Sequence, residues 1–346
     1  MTTADNRAGV APDESGATGS FVTRVSSRLK NSITLLPYPA FLRVFQGAFF
    51  LRSRTRAIYV MRRVGIPSVE KCDLKGLKRT DILFVLGSGS SINRISSERW
   101  KVISACDSVG FNFWLYHPFV PTMYFFENID TFYIPTMTRA FLKVAFERAA
   151  DYRNTPKVAT DLHKFGPTTV FDLPQTWNHA LYGVHSFALP ARNESELAYG
   201  LSYLVRRGVF NQSNRFETLF KYCSTVTMII SLGVRLGYKK IVLCGVDLKD
   251  SRYFYQDPDF YPQTKNLEFV DFNKPHPTNV ETAWRLPIST VLMEMKRQVL
   301  EPEGIELYVE NRDSALFPEI AEVPAFVFQT ESHRAYDMRA APSTDT

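Results

Sequence analysis

The residues whose types and spacing could do chemistry begin at Gly87-Ser88-Gly89-Ser90-Ser91, where an apolar run ends. Backbone N–H groups and hydroxyls gathered in such a turn, next to a helix start, favour an anion. The turn fits neither common nucleotide loop. Ile92 stands where the dinucleotide fingerprint needs its third glycine, and Asp107 precedes the second predicted strand, whereas a ribose-binding acid should follow it. No Gly-Lys-Ser/Thr follows, which excludes a Walker loop. Asn112 holds the later position and can meet a base or a ribose as both donor and acceptor. His276 closes an aromatic stretch just before a predicted helix, where an imidazole can take a proton near neutral pH; the competing reading is an ordinary loop histidine. Asp257-Pro258-Asp259 has the D-x-D form of metal-dependent glycosyltransferases but lies ten residues past Asp247, away from a strand end. The six histidines show no metal-ligand spacing, so no metal site is expected.

Positioning these groups takes a particular set of elements. Ile82-Leu83-Phe84-Val85-Leu86 is a continuous apolar run, the pattern of a strand covered on both faces. Further strands are predicted at 108–113, 122–126, 240–246 and 304–309, and helices at 219–236, ending before Gly237, and at 280–300, where Pro287 interrupts or starts the helix. Strands alternating with helices predict a doubly wound, mostly parallel α/β sheet of Rossmann-like type over 81–330. Residues 249–279 break the alternation with seven Phe and Tyr and four Pro, too aromatic for a plain linker, and are expected to form a lid over the carboxyl end of the sheet.

Composition bounds the rest. With 346 residues, 45% hydrophobic and 22% charged, wholesale disorder is excluded; residues 1–20 and 335–346, polar and nearly without large apolar side chains, are expected to be disordered tails. Four cysteines without a C-x-x-C pair support neither a zinc ribbon nor a disulfide scaffold, and point to a reduced, cytoplasmic protein. The net charge of +6 is unevenly spread. Arg24, Arg28, Lys30, Arg43, Arg52, Arg54, Arg56, Arg62 and Arg63 have no acidic residue among them, and the chain from Glu70 onward is nearly neutral. That leaves no general nucleic-acid surface. It makes 21–69 a basic amphipathic extension, either an interfacial helix at an anionic membrane through 24–63, attached at the inner face of the cell membrane, or a cap helix on the main domain. Its longest uncharged piece, 44–51, is far below the roughly 18 residues of a membrane span.

The order Gly87-Ser-Gly-Ser-Ser-Ile92, Gly110-Phe-Asn112, Ser224-Thr-Val-Thr-Met228, Leu236-Gly-Tyr-Lys-Lys-Ile241, Gly245-Val-Asp247, an aromatic stretch, His276 and Asn311-Arg-Asp-Ser314 resembles the bacterial sialyltransferases of glycosyltransferase family 42 over about residues 81–320. The resemblance implies an inverting, metal-independent transfer of a sialic-acid-like ulosonic sugar from a CMP-sugar donor to a glycan or glycolipid acceptor of the cell surface, with no cofactor. It places Gly87, Ser88 and Gly89 against CMP, Asn112 on the nucleotide, Glu127 or Asn128 at the next strand end, Ser224 near the sugar carboxylate, Asp247 on the cytidine side, Tyr253 on the departing phosphate and His276 as general base. Two positions depart from the family pattern: Lys249 replaces a phosphate-binding tyrosine, and Lys221 replaces an arginine, keeping the charge but losing the guanidinium fork. A related α/β group, the pterin diphosphokinase-like enzymes, shares the turn and the Gly-Val-Asp strand end. A diphosphokinase using ATP and Mg²⁺, or a silent nucleotide- or glycan-binding relative, is therefore the alternative.

Overall fold

A strand as uniformly apolar as Ile82–Leu86 is stable only where both faces are covered. In the computed structural model, which describes residues 36–129, 135–163, 169–212, 216–249, 252–264, 276–282, 285–325 and 327–328, all five of its side chains are buried. The expected tails, the start of the extension with Arg24, Arg28 and Lys30, and 250–251 and 265–275 of the aromatic stretch lie outside the described residues.

The strands in chain order are β1 (Ile82–Leu86), β2 (Asp107–Phe111), β3 (Met123–Glu127), β4 (Lys157–Thr160), β5 (Leu181–Gly183), β6 (His185–Phe187), β7 (Thr218–Phe220), β8 (Lys240–Cys244) and β9 (Glu306–Val309). Seven form one parallel sheet in the order β5-β4-β3-β2-β1-β8-β9, and β6 and β7 form a parallel pair of their own. The helices are α1 (Tyr38–Val64), α2 (Ser97–Ala105), α3 (Pro135–Glu147), α4 (Glu194–Arg206), α5 (Thr225–Leu236) and α6 (Ile288–Met295). This is the doubly wound, Rossmann-like α/β fold that the alternating pattern predicts. Chain order reverses between β1 and β8, and such a switch point opens a crevice at the carboxyl ends of the two strands. The core on one face is aromatic: Trp114, Tyr124, Phe126, Phe141, Tyr152 and Trp177 are fully buried together.

The chain divides into two compact units at Phe49–Phe50, within α1. Of the first unit, residues 36–49 are described, chiefly the leading turns of that helix. In the second unit, α1 packs against β6 and β7. Ser53 Oγ lies 2.8 Å from His185 Nε2, Arg54 pairs with Glu217 at 2.5 Å, and Ala57, Val60 and Met61 are buried. From Phe50 the helix therefore serves as a cap, with Leu51, Arg52, Tyr59, Arg62 and Arg63 exposed.

Several element boundaries differ from the sequence expectation, each for a local reason. The second strand stops at Phe111 because Asn112 takes a left-handed φ of 52° and starts a single helical turn. Leu219 and Phe220 belong to β7, and the helix expected at 219–236 starts at Thr225, where Ser224 caps it by accepting from Val226 N–H. The helix expected from 280 begins at Ile288, directly after Pro287. The last strand begins at Glu306.

The backbones after β1 and β8 touch. Gly87 N–H donates to Cys244 O and Gly89 N–H to Gly245 O, both at 2.8 Å. Gly245 has φ 64°, and a Cβ on Gly87 would stand 2.5 Å from the Gly245 carbonyl oxygen. Gly87→Ala is therefore expected to lose about 1–3 kcal/mol of stability, the usual cost of forcing a methyl into a packed site. Urea denaturation measures this, and a loss below about 0.5 kcal/mol, the scale of a neutral surface change, would show that the turn can give way.

Candidate active site

At the switch point, the described residues enclose a cavity of about 70 Å³ lined by Ser88, Gly89, Phe111, Ser224, Val226, Gly245, Val246, Asp247, Leu248, Arg252, Tyr253, His276 and Thr278. It has room for one small anionic group rather than a whole nucleotide. A larger hollow of about 460 Å³ lies at the opposite end of β2 and β3, beside Ser108, Thr122 and Arg79. Arg79 is engaged there by Asp107 at 3.0 Å, and in open α/β sheets ligands sit at the carboxyl ends, so the smaller cavity is the candidate site.

The Gly/Ser turn is less open to an anion than its sequence suggests. Gly87 and Gly89 spend their N–H groups on β8, and Ser91 donates its N–H (2.9 Å) and its hydroxyl (2.6 Å) to the Asp247 carboxylate. Gly89 has no room for a side chain, because a Cβ would stand 2.4 Å from Asp247 Oδ2. Asp247 thus ties the turn to the end of β8. Positive potential comes instead from the Ser224-capped start of α5 and from Arg252, both in the cavity wall.

Tyr253 reaches the cavity because its backbone bridges to Gly89 while Phe254 N–H donates to Ser88 O at 2.9 Å. Its ring stacks on Tyr255 at 5.3 Å, and Tyr255 and Phe254 are fully buried. Burial pushes the Tyr253 phenol above its ordinary range, so it remains a proton donor at neutral pH. His276 Nε2 lies 3.4 Å from Tyr253 Oη. Its Nδ1 lies 2.7 Å from Thr278 Oγ1 and accepts from Thr278 N–H at 3.3 Å. That pattern assigns the neutral ring's proton to Nε2, facing the phenol. The other tautomer, with Nε2 bare, requires Nδ1 to release Thr278 N–H and to donate its own proton to the Thr278 hydroxyl oxygen. Burial pushes the His276 pKa below its ordinary 6.5.

A second polar group lies at the ends of β2, β3 and β4. Lys221 Nζ donates to Glu127 Oε1 and Asp161 Oδ2, both at 2.9 Å; Thr225 Oγ1 donates to the same Glu127 oxygen at 2.7 Å, and Ser186 Oγ to Asp161 at 3.0 Å. Burial opposes the Lys221 charge, but Asp161 and Glu127 outweigh it and hold the ammonium above the usual lysine range. Asn112 Oδ1 accepts from Glu127 N–H at 3.1 Å.

The structure thus gathers Ser88, Gly89, Ser224, Asp247, Tyr253 and His276 in one cavity, with Gly87 in the turn behind them, and sets Asn112, Glu127 and Lys221 together beside it. Three expected residues are placed otherwise. Lys249 is exposed and outside the cavity wall, where Arg252 supplies the cation. Asn128 is fully buried, its Oδ1 accepting from Val170 N–H at 3.1 Å, a structural tie. Lys221 is occupied by two carboxylates rather than directed at a sugar. Asp257 Oδ1 accepts from Asp259 N–H at 3.1 Å and closes its own turn, and among the described residues no three His, Cys, Asp or Glu side chains group as metal ligands. Arg252, Thr278, Asp161 and Thr225 were missed. Only Thr225 and Thr278 had a signal, as neighbours of singled-out residues.

Lys221→Met leaves two carboxylates without their cation. It is expected to cost about 3–5 kcal/mol in urea denaturation. A buried carboxylate stripped of its cation titrates higher folded than unfolded, so the variant should regain part of this loss as pH falls. Adding Asp161→Asn to Lys221→Met should restore part of it at neutral pH. A loss under about 1 kcal/mol, no more than an exposed ion pair is worth, would reduce the cluster to a surface contact.

Compared with known proteins, the chain matches no family model, no curated protein and no solved structure.

Proposed function

We propose that the chain is an inverting, metal-independent glycosyltransferase that moves a sialic-acid-like ulosonic sugar from a CMP-sugar to a glycan acceptor of the cell surface. The observation that carries this reading is one cavity at the switch point shared by the Gly/Ser turn, Asp247, the start of α5, Arg252 and the Tyr253–His276 pair. A CMP-activated ulosonic acid brings a phosphate, the one small anionic group that the cavity admits, and the wall opposes it with a guanidinium, a protonated phenol and a helix N-terminus. In the transfer, the bond from the anomeric carbon to the phosphate oxygen breaks and its electron pair leaves with CMP. Arg252 and the Tyr253 phenol stabilise the charge growing on that phosphate. The acceptor hydroxyl attacks from the opposite face and passes its proton to His276 Nε2, with Nδ1–H held by Thr278 Oγ1. A monophosphate leaving group is matched by these donors without a metal clamp.

CMP should stabilise the protein by about RT ln(1 + [L]/Kd), near 2.7 kcal/mol at a hundred times Kd, and by more than NAD or ATP with Mg²⁺. His276→Ala should keep CMP binding and lose about two to four powers of ten in transfer. An imidazole base works unprotonated, so the wild-type rate should fall as pH drops through a pKa below 6.5, and His276→Ala should lack that limb. A larger shift with ATP and Mg²⁺, or a variant transferring at near wild-type rate, would sink the reading.

No helix among the described residues is long and apolar enough to cross a membrane. Peripheral attachment at the inner membrane face is part of the proposal, supported by the acid-free basic segment and by exposed Arg52, Arg62, Arg63, Leu51 and Tyr59 on α1. Each basic residue near an anionic surface contributes on the order of 1 kcal/mol, screened by salt. The intact protein should pellet with phosphatidylserine vesicles at low salt, and Arg52, Arg62 and Arg63 changed together to Glu should release it. Equal pelleting of both forms would leave α1 only its role as a cap.

A further inference from the structure

His276 reaches the cavity from the head of a single tight turn, Pro277–Asn279, and the firm ties of that turn lead away from the cavity. Asn279 N–H donates to the His276 carbonyl at 2.7 Å, so the turn and the imidazole move as one piece. The Tyr253 phenol is a weak tether for it, since Oη and Nε2 stand 3.4 Å apart. The stronger hold is at the start of α6. That helix begins after Pro287, which has no polar side chain to cap it, and Ser289 in its first turn gives both its N–H (3.1 Å) and its hydroxyl (2.7 Å) to Asn279 Oδ1. Asn279 thus caps α6 from ten residues away along the chain. Arg285 Nη2 adds a bond to the Pro277 carbonyl at 2.8 Å. The start of α6 is also registered on Ser224, in the cavity wall. Leu286 N–H donates to the Tyr222 hydroxyl at 2.9 Å, Tyr222 N–H to Thr227 Oγ1 at 2.8 Å, and that hydroxyl to the Ser224 carbonyl at 2.8 Å. The spacing of His276 and Ser224 is therefore set through α6, with Asn279 at one end of the bonded path and Tyr222 at the other.

We propose that Asn279 is the positioning residue of His276: its amide oxygen, held by Ser289, fixes where the imidazole stands in the cavity and how much water reaches it. Asn279 does not itself line the cavity, so it acts through the turn. Without Oδ1 the turn loses its anchor on α6, and the imidazole keeps only its contacts with Thr278 and the distant phenol. A base displaced by about 1 Å costs on the order of a hundredfold in rate, so a residue outside the cavity can govern the proposed transfer. The proposal rests on the glycosyltransferase reading for the reaction, while the placement of the imidazole is measured without any substrate.

The test follows the imidazole itself, by NMR titration of the histidine ring protons in the full chain, with His276→Ala assigning the signal. Burial disfavours the charged ring and holds the wild-type pKa below 6.5. Asn279→Ala should loosen the turn, admit water to the ring and raise that pKa toward about 6.5. Ser289→Ala removes the hydroxyl and keeps the N–H; it should move the pKa the same way by a smaller step, and should add nothing in the Asn279→Ala background. A residue that only stabilises the fold would lower the urea midpoint and leave this titration where it is. Each variant is first checked for a native circular dichroism spectrum, and if Asn279→Ala does not fold, the shift in Ser289→Ala decides. In transfer from a CMP-sugar, Asn279→Ala should lose about a hundredfold with CMP binding kept. An unmoved His276 pKa in Asn279→Ala, or a Ser289→Ala step that adds to it in full, overturns the positioning role and leaves the glycosyltransferase reading standing. A shifted pKa in a protein whose wild type transfers nothing from a CMP-sugar overturns that reading and keeps the positioning role.

Discussion

Two backbones meet at Gly87 and Gly245 with no side chain between them, and the carboxyl end of the sheet is built on that approach. It lets the turn after β1 bond directly to the end of β8 at 2.8 Å, twice. With the two chains locked together, Asp247 falls where both of its oxygens can hold Ser91, and Gly89 falls where its backbone can take Tyr253. A side chain at Gly87 or Gly89 would strike a carbonyl or a carboxylate. The glycines of this turn are thus explained by packing between strands, more than by the approach of an anion.

The same crowding moves the positive potential elsewhere. Because the turn spends most of its N–H groups internally, the cavity draws on the start of α5, on Arg252 and on a phenol that burial keeps protonated. Charge is balanced a few residues away by Lys221, which stays an ammonium in a buried place because two carboxylates oppose the cost of burying it.

The aromatic stretch is anchored at its near end and lines the cavity with one ring. Phe254 and Tyr255 insert into a cluster with Phe113, Trp114 and Tyr116, so Tyr253 is presented from a fixed base. His276 enters from the far end of the stretch and meets the phenol. Two residues 23 positions apart therefore face each other because one is bolted to the core and the other is held by Thr278.

The sequence by itself determined the sheet, since a run such as Ile82–Leu86 is stable only between two covered faces, and the alternation of strands and helices specifies their winding. It also marked the turn at Gly87 and the end of α5 at Gly237, because these depend on neighbours in the chain. It could not tell that Leu219 and Phe220 join β7, because a short apolar pair fits a strand and a helix equally well and only β6 decides. It could not tell that Arg252 rather than Lys249 lines the cavity, because that depends on how the chain after β8 folds back on the turn at Gly89. Nor could it show that Lys221 faces Glu127 and Asp161, 94 and 60 residues away. Burial, pairing and direction belong to contacts between distant segments, and those exist only once the sheet has brought its strand ends together.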